Sequence, residues 1–238
     1  MKSLVWISGA SAGIGAALAA AIPAEDTRII GISRRPTPAG SSVEHFAADL
    51  ADPAEWARVE RHFGEALAGF AGERVVFVHN AGTIVPIGPA DQVDSAEYAR
   101  AILLNSAAPQ VLGAAFLRAT AGLDCEKHLI LLSSGAAKNP YPGWSAYNGG
   151  KAAVEQWVRT VGAEPNGCRV LSVAPGVVDT AMQAEIRKVD ERAFPAVERF
   201  RDLDRSGRLV SPGQAARGLW SLLDRDLDSG STIDLRDF

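Results

Sequence analysis

The sequence predicts an α/β fold: a doubly wound parallel sheet of about seven strands, with helices on both faces, in a single domain. Three observations predict it. Short apolar, β-branched runs alternate with longer amphipathic stretches along the 238 residues, and strands that are apolar throughout belong to a sheet covered on both sides. The first run leads directly into a glycine-rich turn and a helix. Later runs end on small or hydroxyl residues, at the edge where ligands of open α/β sheets bind.

Composition is consistent with one globular domain over residues 1–238: 47% hydrophobic and 22% charged. The formal net charge is −4, with no dense Lys/Arg run, which argues against a nucleic acid or a membrane surface as partner. Two separated cysteines, Cys125 and Cys168, form neither a disulfide framework nor a redox motif. His45, His62, His79 and His128 lack metal-ligand spacing. A reducing, cytoplasmic setting is expected. Residues 1–22 sketch a signal peptide, but they carry a single positive charge, and their apolar part holds two serines and three glycines. No apolar run is long enough to span a bilayer.

Strands are expected at residues 4–7, 28–32, 43–46, 75–78, 129–132, 170–173 and 232–235. Helix starts are legible between them. Asp52-Pro53-Ala54-Glu55 has a capping aspartate, proline at the first helical position and glutamate at the third, a capping-box pattern. Asp94-Ser95-Ala96-Glu97 repeats the cap signal. The longest irregular stretch, around 181–208, is charged but contains Phe194 and Phe200, and is expected to form a lid.

After the first strand comes Ser8-Gly9-Ala10-Ser11-Ala12-Gly13-Ile14-Gly15. Glycines at 9, 13 and 15 permit a tight turn and a close approach to a pyrophosphate. The helix that follows presents free N–H groups and a positive dipole end. Ser11 and Ile14 complete this Rossmann-like turn. The second strand ends in Ser33-Arg34-Arg35. An aspartate there would bind a ribose 2′-hydroxyl, whereas Ser33 leaves room for a 2′-phosphate that Arg34 and Arg35 can hold. NADP(H) is therefore the expected cofactor. Asp49-Leu50 is placed to meet the adenine, and His79-Asn80-Ala81-Gly82 ends the fourth strand beside the cofactor.

Tyr147 and Lys151 are four residues apart and share one helical face. An ammonium beside a phenol favours the phenolate and pulls it below its usual value of about 10. Ser133-Ser134 ends the fifth strand, and Pro175-Gly176-Val177-Val178-Asp179-Thr180 ends the sixth. Pro109 lies four residues after Asn105 and cannot donate to its carbonyl, which is left free to hold a water or marks only a helix kink. Gly149 and Gly150 weaken the helix that carries Tyr147; close approach of the helix to its surroundings, or to a partner subunit, would account for them.

Together, G-x-x-x-G-x-G, N-A-G, Asn105, the serine, Y-x-x-x-K and P-G resemble the short-chain dehydrogenase/reductase family over essentially the whole chain. Its serine precedes its tyrosine by thirteen residues, which selects Ser134. The resemblance implies a catalytic set of Asn105, Ser134, Tyr147 and Lys151. It also implies cofactor contacts from the residues above, including Pro175, Gly176, Val178 and Thr180, and a homodimer or homotetramer. Ser8 and His79 depart from the common threonine and asparagine. A narrower similarity, in "NPYPGWSAYNGGKAA", "DTAMQ", "GRLVSP" and "SGSTIDL", is to the sepiapterin reductase and benzil reductase branch. It implies NADPH-dependent reduction of a small ketone or diketone, with Tyr141, Trp144, Met182 and Phe194 lining an apolar pocket. The alternatives are a pterin substrate anchored by Asp234 and a non-catalytic NADP(H) sensor on the same fold.

Overall fold

The computed structural model describes residues 2–22, 26–37 and 41–238. Seven strands form one parallel sheet: β1 (Ser3–Ser8), β2 (Thr27–Ser33), β3 (Glu44–Ala47), β4 (Arg74–His79), β5 (Glu126–Leu132), β6 (Arg169–Ala174) and β7 (Thr232–Asp234). Their order is β3-β2-β1-β4-β5-β6-β7. The chain leaves β1 toward one edge and returns to β4 on its other side. A crevice therefore opens where the carboxyl ends of β1 and β4 diverge, at the switch point expected to hold a ligand.

The apolar runs pair as central strands because helices cover both faces. On one face, α2 (Pro53–Leu67), α4 (Ala108–Thr120) and α5 (Ser145–Gly162) pack over Leu4, Trp6, Val75, Phe77, Leu129 and Leu131. Trp6 meets Phe63 edge-on at 5.2 Å. On the other, α1 (Gly13–Ala20) and α8 (Pro212–Ser221) cover Val5, Ile7, Val76, Val78, Leu171 and Val173. The apolar run at residues 4–7 thus forms β1, an interior strand between β2 and β4. Between β4 and α4 lies α3 (Ser95–Ile102).

Differences from expectation are local. β3 sits one residue later than expected, and β7 stops at Asp234, where a 3₁₀ turn (Leu235–Asp237) begins. Asp52 caps α2 through Ala54 N–H (3.0 Å), but Glu55 pairs with Arg58 instead of closing the box. The full capping box is at α8, where Ser211 and Gln214 exchange bonds around Pro212; the sequence reading missed it. Asp94 caps α3 as expected, accepting from Ala96 and Glu97. Residues 181–208 hold two helices, α6 (Ala181–Lys188) and α7 (Val197–Arg205). They enclose a third apolar cluster of Trp144, Ile186, Phe194, Val197 and Phe200, above the sheet's carboxyl edge.

Candidate active site

The turn after β1 is built around glycine. Gly9 has φ +69°, donates its N–H to Ile32 O (2.8 Å), and a Cβ there would stand 2.8 Å from Asn80 Nδ2. A Cβ at Gly15 would collide with the Gly9 carbonyl at 2.2 Å. Ser8 ties the two diverging strands together: its hydroxyl accepts the N–H groups of Asn80 (3.0 Å) and Ala81 (2.9 Å). α1 starts with no acidic residue in its first turn and no side-chain cap, so its N–H groups face the cleft free for an anion.

Every sequence-predicted cofactor residue except Gly15 lines this cleft; Gly15 forms its floor against Gly9. Arg34 and Arg35 are exposed at its far end. Ser33 is buried and its hydroxyl donates to Arg35 O (2.6 Å), which shapes the turn that presents the two guanidinium groups. Asp49 lines the cleft, but its carboxylate is engaged by Arg100 (2.9 Å) and by Ala51 N–H (3.1 Å). Burial opposes its ionisation, yet these partners, with Arg34 nearby, hold it below the usual carboxylate range. Val210 bonds Val177 and Asp179, fixing the segment after β6 so that Thr180 stands against Gly13. Gln183 was missed by the sequence reading. Its side chain is buried in the cleft wall with Oε1 unpartnered. A glycine cradle, two guanidinium groups and an orphaned amide oxygen fit a dinucleotide phosphate and a carboxamide-bearing ring.

Ser134, Tyr147 and Lys151 meet at the near end. The Tyr147 hydroxyl contacts Ser134, whose Oγ also accepts from Ala136 N–H (3.2 Å). Lys151 is buried; its Nζ lies 5.7 Å from the Tyr147 ring centroid and donates to Leu132 O (2.7 Å). Burial pushes the Lys151 ammonium down to about 8. The expected lowering of Tyr147 does not occur in this geometry. Burial raises the phenol, and the Ser134 contact works only partly against it. Burial is the larger effect, and the Lys151 ammonium, over the ring with an N–H donated to Leu132 O, does not reverse it.

Asn105 lies in a π-helical turn, Leu103–Ala107, just before Pro109. The extra residue lets the chain pass the proline without an i−4 bond. Its side chain, which the sequence reading did not use, clasps Thr83 from both sides: Oδ1 accepts Thr83 N–H (2.9 Å) and Nδ2 donates to Thr83 O (2.7 Å). Gly150 accounts for one of the two glycines, since a Cβ there would be 2.9 Å from Asn105 Cβ, whereas one at Gly149 would meet nothing within 4 Å.

Beneath Ser134, Ser133 donates to the buried carboxylate of Glu155 (2.9 Å). Glu155 lies one turn beyond Lys151 on the same face; the sequence reading missed it. His79 is buried beside them and held neutral, its pKa pushed down to about 3 by burial and by Lys151.

A second pocket opens beside Ser134 and Tyr147, lined by Tyr141, Trp144, Met182 and Asp234 as expected. Phe194 does not line it. It is fully buried behind Trp144, stacked at 4.2 Å. The Asp234 carboxylate is held by Arg236, whose backbone N–H (3.0 Å) and Nε (2.9 Å) reach Oδ1 while Nη2 reaches Oδ2. Arg199 and Arg236 complete the pocket wall and were not anticipated.

Residues 3–191 match the family model for short chain dehydrogenase. The benzil reductase ((S)-benzoin forming) of Bacillus subtilis (strain 168) is 34% identical, over 99% of this chain and 99% of its own. The sepiapterin reductase of Xenopus tropicalis is 31% identical, over 83% of this chain and 77% of its own. Among solved structures, the KRED1-Pglu enzyme superposes with a TM-score of 0.83 at 29% identity, covering 98% of this chain and all of that one. With this fold, this cleft and these relatives, the chain belongs to the short-chain dehydrogenase family and is an oxidoreductase of the nicotinamide-dependent type.

Proposed function

We propose that the protein reduces a small ketone or benzil-like diketone to the alcohol with NADPH, Tyr147 being the proton donor. The observation that carries this reading is that Ser134 and Tyr147 line both the dinucleotide cleft and the aromatic pocket, at their junction. When bound, reduced nicotinamide supplies the hydride that the carbonyl carbon accepts. Ser134 donates a hydrogen bond to the carbonyl oxygen, favouring the charge that develops there. Tyr147 passes its proton to that oxygen, so one hydride and one proton yield the alcohol and oxidised cofactor. Lys151 places positive charge next to the phenol as it loses its proton. Asn105 positions the Thr83 segment and, through the close approach of Gly150, the helix that carries Tyr147 and Lys151.

NADPH is preferred in this reading because Arg34 and Arg35 form no ion pair among the described residues and no carboxylate ends β2. A sensor would have no use for a complete proton-donor set. A pterin substrate would need a free carboxylate at 234, and Arg236 already occupies it. Three benzil reductases among the relatives, from Bacillus subtilis, Bacillus cereus and Saccharomyces cerevisiae, support the diketone. The reading includes one domain with α6 and α7 as its lid, a cytoplasmic setting, and a homodimer or homotetramer. Exposed Ile102 and Val111 and the open face at Gly149 are available to a second copy. The test is NADPH oxidation with benzil and identification of the product: benzoin formed in step with NADPH consumed is expected, and no turnover overturns the proposal.

A further inference from the structure

The substrate pocket carries more positive charge than an apolar diketone requires. Three ionisable side chains besides Tyr141 and Tyr147 line it: Arg199, Asp234 and Arg236. Asp234 and Arg236 cancel, joined through both carboxylate oxygens. Lys138 also acts on Asp234 from nearby. Arg199 is left over. Its helix neighbours Arg201 and Arg205 both pair with Glu198, yet among the described residues no carboxylate pairs with Arg199.

A surface arginine without a partner is ordinary. One whose direction is fixed at a pocket wall is not. Arg199 Nη1 donates to the Tyr141 hydroxyl (2.8 Å), and its guanidinium lies 5.8 Å from the Tyr141 ring centroid. The phenol uses one donor and leaves the remaining fork for an acceptor. The aromatic wall leads from the reacting end to this point, Tyr147 to Trp144 at 5.6 Å and Trp144 to Tyr141 at 5.2 Å between centroids. A planar substrate lying along that wall, its carbonyl at Ser134 and Tyr147, extends its far end toward the guanidinium. A planar fork of N–H donors matches a carboxylate in geometry and charge.

We propose that the preferred substrate is an aryl or fused-ring ketone bearing a carboxylate remote from the reacting carbonyl, and that Arg199 binds this carboxylate. The inference rests on the carbonyl reductase reading and narrows its substrate class. It predicts discrimination between compounds that differ only at the far end.

Three substrates decide it: benzil, 4-carboxybenzil and the methyl ester of 4-carboxybenzil, which has the bulk without the charge. 4-Carboxybenzil should be reduced at its ketone with a kcat/KM about tenfold or more above its methyl ester, the discrimination that one charge-assisted hydrogen bond provides. The difference should reside in KM and shrink as salt is raised. In Arg199→Gln the carboxylate-to-ester ratio should fall to about one, and Arg199→Lys should restore part of it. Because the ratio is read within each variant, a general loss of activity does not disturb it. Benzil turnover with no carboxylate preference, or a preference that survives Arg199→Gln, overturns this inference alone. No turnover of any of the three overturns the reductase reading with it.

Discussion

Tyr147 and Lys151 show how one helix turn brings two buried ionisable groups together. Burial disfavours both charged forms, raising the phenol and lowering the ammonium. Tyr147→Phe removes the hydroxyl and little volume. It should leave folding and cofactor binding intact and cut kcat by about 100-fold or more, as for loss of a general acid; retention of a tenth of the rate would exclude Tyr147 as the donor. The pH profile tests Lys151. Its ammonium form is present below its pKa of about 8 and lost above it. Reduction that needs this charge should therefore be level below that pH in kcat/KM and decline above it. A rate that rises through the same interval would assign Lys151 the opposite role. Glu155 acts a step further back, holding Ser133 so that the adjoining Ser134 faces the cleft.

At the scale of elements, α5 must lie against the π-helical turn that holds Asn105. Gly150 makes the contact possible, since an added methyl carbon would stand 2.9 Å from Asn105 Cβ. Gly150→Ala should improve intrinsic helix propensity by about 1 kcal/mol. It should nevertheless destabilise the protein, because overpacking costs roughly 1–3 kcal/mol. The shift of α5 should also lower kcat by displacing Tyr147. A melting temperature at or above that of the unmodified protein would show that the two helices part without cost. Helices α6 and α7 have a different basis. They are held by the Trp144–Phe194 stack and its neighbours, a cluster distinct from the two cores flanking the sheet.

Across the whole molecule, the dinucleotide cleft joins the phosphate turn, the β2 end, the β4 end and the segment after β6. A ligand that bridges these parts in the folded state alone stabilises all of them. At 100 times its Kd it contributes about 2.7 kcal/mol. NADPH should raise the melting temperature more than NADH at equal concentration. In the double variant Arg34→Ala, Arg35→Ala the NADPH shift should shrink to the NADH shift, since both proposed charge partners of the 2′-phosphate are gone. These arginines are preferable to Ser33 as the site of change. The Ser33 hydroxyl donates to Arg35 O, and an aspartate there would set a carboxylate against a carbonyl. Equal shifts from the two cofactors in the unmodified protein would remove the arginine pair from the account.

The sequence by itself determined the sheet, its parallel sense and the residues along its carboxyl edge. Strand runs, caps and the glycine turn are local signals, readable where a few neighbouring residues decide the conformation. It also determined the Tyr147–Lys151 relation, because helical spacing alone makes these two neighbours. Only the tertiary structure decided which side chains pair, near or far along the chain. Asp234 is neutralised by Arg236, and this could not be read from spacing, because a strand end turning into a 3₁₀ turn bends the arginine back. Glu155 beneath Ser133 joins residues 22 apart, and Arg199 on Tyr141 joins residues 58 apart. Phe194 was expected on the pocket surface but lies behind Trp144, because periodicity shows that a side chain is buried and not which side of its neighbour it occupies. Pocket charge follows the same rule: composition counts the arginines, but which of them find ion-pair partners, and hence the charge left for a substrate, is fixed by how the chain folds around the pocket.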